Sequence, residues 1–200
     1  MKTKTFSIIA FTVLALGVGS VAKAANGNKE VATELTHVNK INKIEVYGNV
    51  EVFVSNGNDD KVKVYNHYYA EDALVQNTNG VLRISSYKAE KLVVWVTAKD
   101  LEKISAYDNA EVRSFGKLSE TDLNVDLHNH AYANLDLNTI STNLSIADQA
   151  KADLSGSAIN YDLQYGRSTT VNQSSFAAES ITKVMKGGSA QVSEDELAGL

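Results

Sequence analysis

A five-residue phrase recurs through the second half of this chain at the spacing of a stacked repeat. Asp108-Asn109-Ala110-Glu111-Val112 returns as Asn129-His130-Ala131-Tyr132-Ala133 and as Asp148-Gln149-Ala150-Lys151-Ala152. It comes back more faintly as Gly166-Arg167-Ser168-Thr169-Thr170 and Gly187-Gly188-Ser189-Ala190-Gln191. The small residues Ala110, Ala131, Ala150, Ser168 and Ser189 follow one another at steps of 21, 19, 18 and 21 residues. A near-constant step of this size marks an architecture in which each unit buries its apolar face against its neighbours in the stack.

The residues around the phrase alternate. Ile104 and Ala106, Val125 and Leu127, Leu144 and Ile146 stand at period two before it, and Val112, Leu135, Leu154, Val171 and Val192 follow it. Period two is the pleat of a strand, so each unit reads as strand, tight corner, strand. Asp, Asn or Gly opens the corner, because these residues tolerate left-handed backbone or bond their own main chain. Amphipathic helices would need apolar residues three and four apart, and a β-sandwich would place hairpin turns at irregular intervals. A coil of parallel strands is therefore expected after Leu101.

The first half is less regular. Ile44, Val46, Val50, Val52 and Val54 alternate around Gly48-Asn49, and Asn77-Thr78-Asn79-Gly80 reads as the turn of a hairpin. Leu92 to Val96 is a continuous apolar run, which predicts a strand covered on both faces with Trp95, the sole tryptophan, in the core. Gly48-Asn49-Val50-Glu51-Val52 matches the corner phrase 60 residues before Asp108, or three units. That places the first half in the same stack, with longer and more irregular coils.

Lys2 and Lys4, the apolar run Phe6 to Val21 and Ala22-Lys23-Ala24 form a secretory signal peptide over residues 1–24. The run is too short and too interrupted for a spanning helix, so no membrane span is expected after cleavage. Removing Lys2, Lys4 and Lys23 leaves 16 basic residues against 24 acidic, a net charge near −8. This argues against nucleic acid and anionic lipid as partners. The chain has no cysteine and no proline. Stability must then come from packing and paired backbone, and proline-free sequence suits a chain that is mostly sheet. The organisation expected is a mobile start at 25–37, a single domain at 38–193 and an acidic tail at 194–200.

Several segments together carry a family resemblance. Ile41-x-x-Ile44-x-Val46-x-Gly48-x-x-x-Val52-x-Val54 resembles the opening of the bacterial "putative auto-transporter adhesin, head GIN" domain. The charged strand Lys61-Val62-Lys63-Val64, the hairpin Asn79-Gly80-Val81-Leu82-Arg83-Ile84, the strand Leu92 to Val96 and Leu101-Glu102-Lys103-Ile104 follow in the family's order. The resemblance covers about residues 38–193. It implies an exported bacterial envelope protein, all-β, a right-handed parallel β-helix-like solenoid, and it brings no catalytic residues. Where members often have a Gly-Ser-Gly type corner, this chain has Asp108-Asn109-Ala110.

Candidate chemistry is sparse. His128 and His130 share a strand face but lack the further ligands that zinc needs, and His37 and His67 stand apart, so no metal and no cofactor are expected. Glu111, Asp122, Asp126, Asp136, Asp148, Asp153 and Asp162 fit a solvated face more simply than the paired carboxyls of a glycosidase. No Gly-x-Ser-x-Gly elbow or phosphate loop is present. Counting from the corner places Tyr107, His128, Ala147, Tyr165 and Lys186 in one outward column, and Tyr132 with Lys151 in another. Tyr107, His128, Tyr132 and Tyr165 are thus candidate ligand-binding residues, where rings stack on sugars or meet a protein. The function expected is non-enzymatic adhesion or carbohydrate or protein binding, in the periplasm or at the cell surface, with a surface glycan or envelope protein as partner. A polysaccharide-active enzyme and a self-associating structural module, forming a homo-oligomer, are the alternatives.

Overall fold

In the computed structural model the residues described are 32–35, 38, 40–65 and 73–186. The expected signal peptide, His37, His67, Ser189 and the acidic tail lie outside them. The described chain is all-β, with twelve strands in one curled sheet. They are β1 (Ala32–Glu34), β2 (Lys43–Gly48), β3 (Val50–Asn56), β4 (Lys61–Tyr65), β5 (Ala73–Thr78), β6 (Val81–Ser86), β7 (Leu92–Ala98), β8 (Lys103–Ala106), β9 (Glu111–Leu127), β10 (Tyr132–Ile146), β11 (Lys151–Tyr165) and β12 (Thr170–Met185). No helix among them is long and apolar enough to cross a membrane.

The repeat becomes a parallel ladder. β10 pairs with β9 and β11, and β11 with β12, always parallel. Asp108, Asn129 and Asp148 hold φ of 60°, 60° and 58° at the corners. The left-handed strain is offset between units: Asn129 Oδ1 accepts from the Asp108 N–H at 3.1 Å, and Asp148 Oδ2 from that of Asn129 at 2.8 Å. The next residue but one must be small because its counterparts lie directly above and below. Ala110, Ala131 and Ala150 are fully buried in one file, tied by Tyr132 N–H to the Ala110 carbonyl and Lys151 N–H to that of Ala131, both 2.9 Å. The fourth member is Thr169 rather than the expected Ser168, since Lys151 pairs with Thr170.

Pairing puts the first half in the same sheet, in an order that sequence distance does not suggest. β2 and β3 are flanked by β6 and β7 on one side and by β8 and β9 on the other. Between β3 and β6 the chain reverses: β4 lies antiparallel on β7, and β5 antiparallel on β6. The turn from β5 to β6 has Asn79 and Gly80 at φ 52° and 83°, both left-handed, as a two-residue hairpin requires. Inward columns such as Ile44, Leu82, Ile104, Val125, Leu144 and Leu163 form a continuous core, none more than 5% exposed.

Two expectations are corrected. β7 alternates, with Leu92, Val94 and Val96 buried and Val93, Trp95 and Thr97 on the outer face, so it is covered on one side only. Trp95 is half-buried outside the core. Tyr165 pairs with Ile146, not with Ala147, and packs against the core. A slip of one residue moves a strand side chain to the opposite face.

Candidate functional site

Two aromatic groupings stand on the outer surface, one on each side of the alanine file. Before the corner, backbone bonding aligns Tyr47, Tyr107, His128, Ala147, Gly166 and Lys186 in one outward column. The first three are parallel rings: Tyr47 and Tyr107 lie 4.7 Å apart at 5°, Tyr107 and His128 4.9 Å apart at 4°. These separations are those of neighbouring strands, so the ladder itself sets the stack. Of the predicted residues, Tyr107 and His128 come together here, Tyr47 joins them, and Tyr165 does not. Glu45, two residues before Tyr47, holds Lys43 and Arg83 at 2.7 Å each. Burial pushes its carboxyl up, and those two cations outweigh it and bring it below the ordinary value.

After the corner, Tyr132 and Lys151 share a column as expected, with Glu111 and Thr170. Tyr132 hydrogen-bonds Asp153 and carries the Arg113 guanidinium 5.2 Å over its ring. Arg113 also bonds Glu51 at 2.8 Å and Glu111 at 2.9 Å, and Lys91 reaches Glu111 at 2.6 Å. Beside this charged network lies an aromatic strip. Trp95 stacks on Phe53 at 4.9 Å, meets Phe115 at 4.8 Å and has Tyr65 at 6.4 Å. Phe115 is 60% exposed. Pairing sets Lys63 on one side of Trp95 and Phe53 on the other, with Arg113 beyond Phe53, so cations bracket the strip.

Sequence reasoning missed this strip, although the signal was present. Val50, Val52 and Val54 point inward, so Phe53 must point out, and the same parity applied to Val94 and Val96 sends Trp95 out beside it.

The remaining carboxylates are mostly solvated. An open pocket of about 450 Å³ gathers Asp100, Glu102, Glu120 and Asp122 with Lys40. Glu120 accepts from Asn56 at 2.6 Å, and burial raises its carboxyl above the ordinary value. His130 sits exposed at its corner, 3.1 Å from Gln149. Among the described residues no group of three or more His, Asp and Glu is placed to hold a metal ion.

Parallel strands bury one face of this all-β sheet and display ring and charge columns on the other. Residues 40–196 match the family model described as "Putative auto-transporter adhesin, head GIN domain", and the chain belongs to that family. Solved structures with a similar fold include two described as putative adhesins. The one from Bacteroides fragilis is 15% identical, with a TM-score of 0.69 over 80% of this chain and 77% of that one. The one from Parabacteroides distasonis is 14% identical, with a TM-score of 0.59 over 78% and 77%. A third, described as a putative lipid binding protein from Parabacteroides distasonis, is 9% identical, with a TM-score of 0.60 over 80% of each chain. At these identities the likeness shows the fold alone. No curated protein matches the sequence.

Proposed function

We propose that this protein is an exported, non-enzymatic recognition module of the bacterial envelope, built as a β-helix-like coil of residues 38–193. Its adhesive face is the strip formed by Phe53, Trp95, Phe115 and Tyr65. The observation that carries this reading is the strip itself, in which Trp95 packs against both Phe53 and Phe115 on the outer sheet face and Phe115 is 60% exposed. Such a cluster is larger than the scattered exposed apolar residues of an ordinary surface. Tryptophan, tyrosine and arginine are also the side chains that anchor binding interfaces. The coil reading draws on the ladder: strands of 15 to 17 residues are followed by a short corner, and each start lies beside the previous start. The family, together with the leader at residues 1–24, supports export.

The test is capture of extracted envelope glycans and proteins on the mature chain, residues 25–200. Trp95→Ala with Phe115→Ala is expected to weaken capture roughly 30-fold, the size of a central aromatic anchor. Capture unchanged by both substitutions, in a variant that still melts cooperatively, would refute the strip.

Two other readings each have one observation behind them. The raised carboxyl of Glu120 in its acidic pocket favours a polysaccharide-active enzyme, which Glu120→Gln would inactivate. The exposed Ile181 and Met185 on β12, paired only to β11 among the described residues, favour self-association. Light scattering across a concentration series decides that case.

A further inference from the structure

The stack of rings ends at a step. One face of His128 lies on Tyr107, and beyond its other face the column continues as Ala147 and Gly166, a methyl and a hydrogen, before Lys186. Strands stand about 4.8 Å apart, so a ring resting on Ala147 would extend the stack at the separation its built-in members already have. Lys186 reaches back from beyond Gly166 to Ser145, so the open space on His128 is the single strand width over Ala147, walled by the Lys186 stem.

Beside it runs a polar pocket of about 330 Å³ that includes Asp126, Ser145, Asp162, Gln164, Lys103 and Lys186. Lys103 neutralises Asp126 at 2.5 Å. Lys186 donates to Ser145 Oγ at 3.0 Å and keeps two further N–H donors. The side chains of Asp162 and Gln164 have no hydrogen-bond or ion-pair partner among the described residues. With two lysines against two aspartates the lining is formally neutral, which favours neither a phosphate nor a polycation. A free carboxylate, a free amide and a part-used ammonium offer both donors and acceptors, the mixture that hydroxyl groups require. The open imidazole face suits the apolar C–H face of a sugar ring.

We propose that this slot binds a neutral hexopyranose. The sugar would stack on His128 over Ala147, with its hydroxyls directed to Ser145, Gln164 and Lys186. The proposal rests on the reading of the protein as a recognition module but uses none of the residues of the Trp95 strip.

The mature chain would be titrated with the methyl glycosides of glucose, galactose, mannose and N-acetylglucosamine. Binding is followed by the His128 ring resonances and by saturation transfer to the sugar. At least one glycoside is expected to shift His128. Ala147→Tyr supplies the missing ring from within and should weaken binding about tenfold or more, and Gln164→Ala roughly threefold to tenfold. Leu74→Ala, at an exposed residue of β5 outside both surfaces, should leave the titration unchanged. The slot is overturned if none of the four sugars moves His128, or if binding survives both Ala147→Tyr and Gln164→Ala. Loss on Trp95→Ala alone also overturns it and moves the sugar to the strip. A larger shift of His128 by an aromatic dipeptide than by any sugar counts against it too. Failed capture on the strip beside a positive titration refutes the strip and leaves the slot standing.

Discussion

Replacing Tyr161 by phenylalanine should stabilise this protein. Tyr161 is 1% exposed, its ring meets Phe176 edge-on at 5.1 Å, and its hydroxyl has no hydrogen-bond partner. Burial alone pushes its phenol far above the ordinary value, which is the same desolvation seen from the proton's side. A buried hydroxyl left unpaired costs about 1–3 kcal/mol, whereas phenylalanine keeps the ring contacts and leaves only a small void. The net gain expected is about 1 kcal/mol, or about 2–4 °C in Tm for a domain of this size. Two neighbouring hydroxyls supply the control. Thr139 and Thr142 are buried and bonded to each other at 2.6 Å, so Thr142→Val strands a partner and should lose about 1–2 kcal/mol. Urea unfolding followed by far-ultraviolet circular dichroism, at constant m-value, measures both. A Tyr161→Phe variant less stable by more than about 0.5 kcal/mol would mean that the hydroxyl is satisfied, and the reasoning would be wrong.

Three further outcomes follow from the ladder and its charges. Gly156 has φ of 93°, and a Cβ there would stand 2.0 Å from the Leu137 carbonyl oxygen, so Gly156→Ala should cost about 3 kcal/mol or more in the same urea assay. Ala131→Leu should cost about 1–3 kcal/mol, because the alanine file has no room for a larger side chain, and a neutral result would show that the corners are not stacked. Glu45 and Glu111 are both more acidic in the fold than the ordinary 4.5, since their bonds to Lys43 and Arg83, and to Lys91 and Arg113, outweigh burial. Their contribution is complete above the unfolded value and disappears as pH falls through the folded values. The urea midpoint should therefore drop below about pH 4.5, less steeply in Glu45→Gln, and a midpoint that rises on acidification contradicts this.

What could be read from the sequence was whatever repeats in register. The corner phrase located Ala110, Ala131 and Ala150, and period two located the inward valines and leucines. Where the step drifted, the reading slipped: taking 18 residues from Ala150 to Ser168, when the file continues at Thr169, carried Tyr165 to the wrong face. Trp95 was lost differently, because Val93-Val94-Trp95-Val96 is apolar at every position and hides its alternation. The order of strands was beyond the repeat altogether. Three units of sequence separate Gly48 from Asp108, yet the strands that lead into them, β2 and β8, are direct neighbours, because β4 and β5 reverse the chain and β6 and β7 return along the far side of β2 and β3.

The same ladder explains why the fold outlives the sequence. An inward column asks only for apolar side chains of fitting size, and a corner only for a residue that tolerates left-handed backbone with a small one next but one after it. Solved structures at 9–15% identity share the fold, with TM-scores of 0.59–0.69. Outward columns carry no such demand. Exchanging a ring for a methyl between His128 and Ala147 changes what the surface can hold without touching Leu127 or Ile146 beneath it. Because strand spacing already matches ring stacking, the ladder holds these rings in place, and a ligand of the proposed kind would cost little ordering entropy on binding. A display surface that can change without disturbing the core is what the proposed recognition role requires.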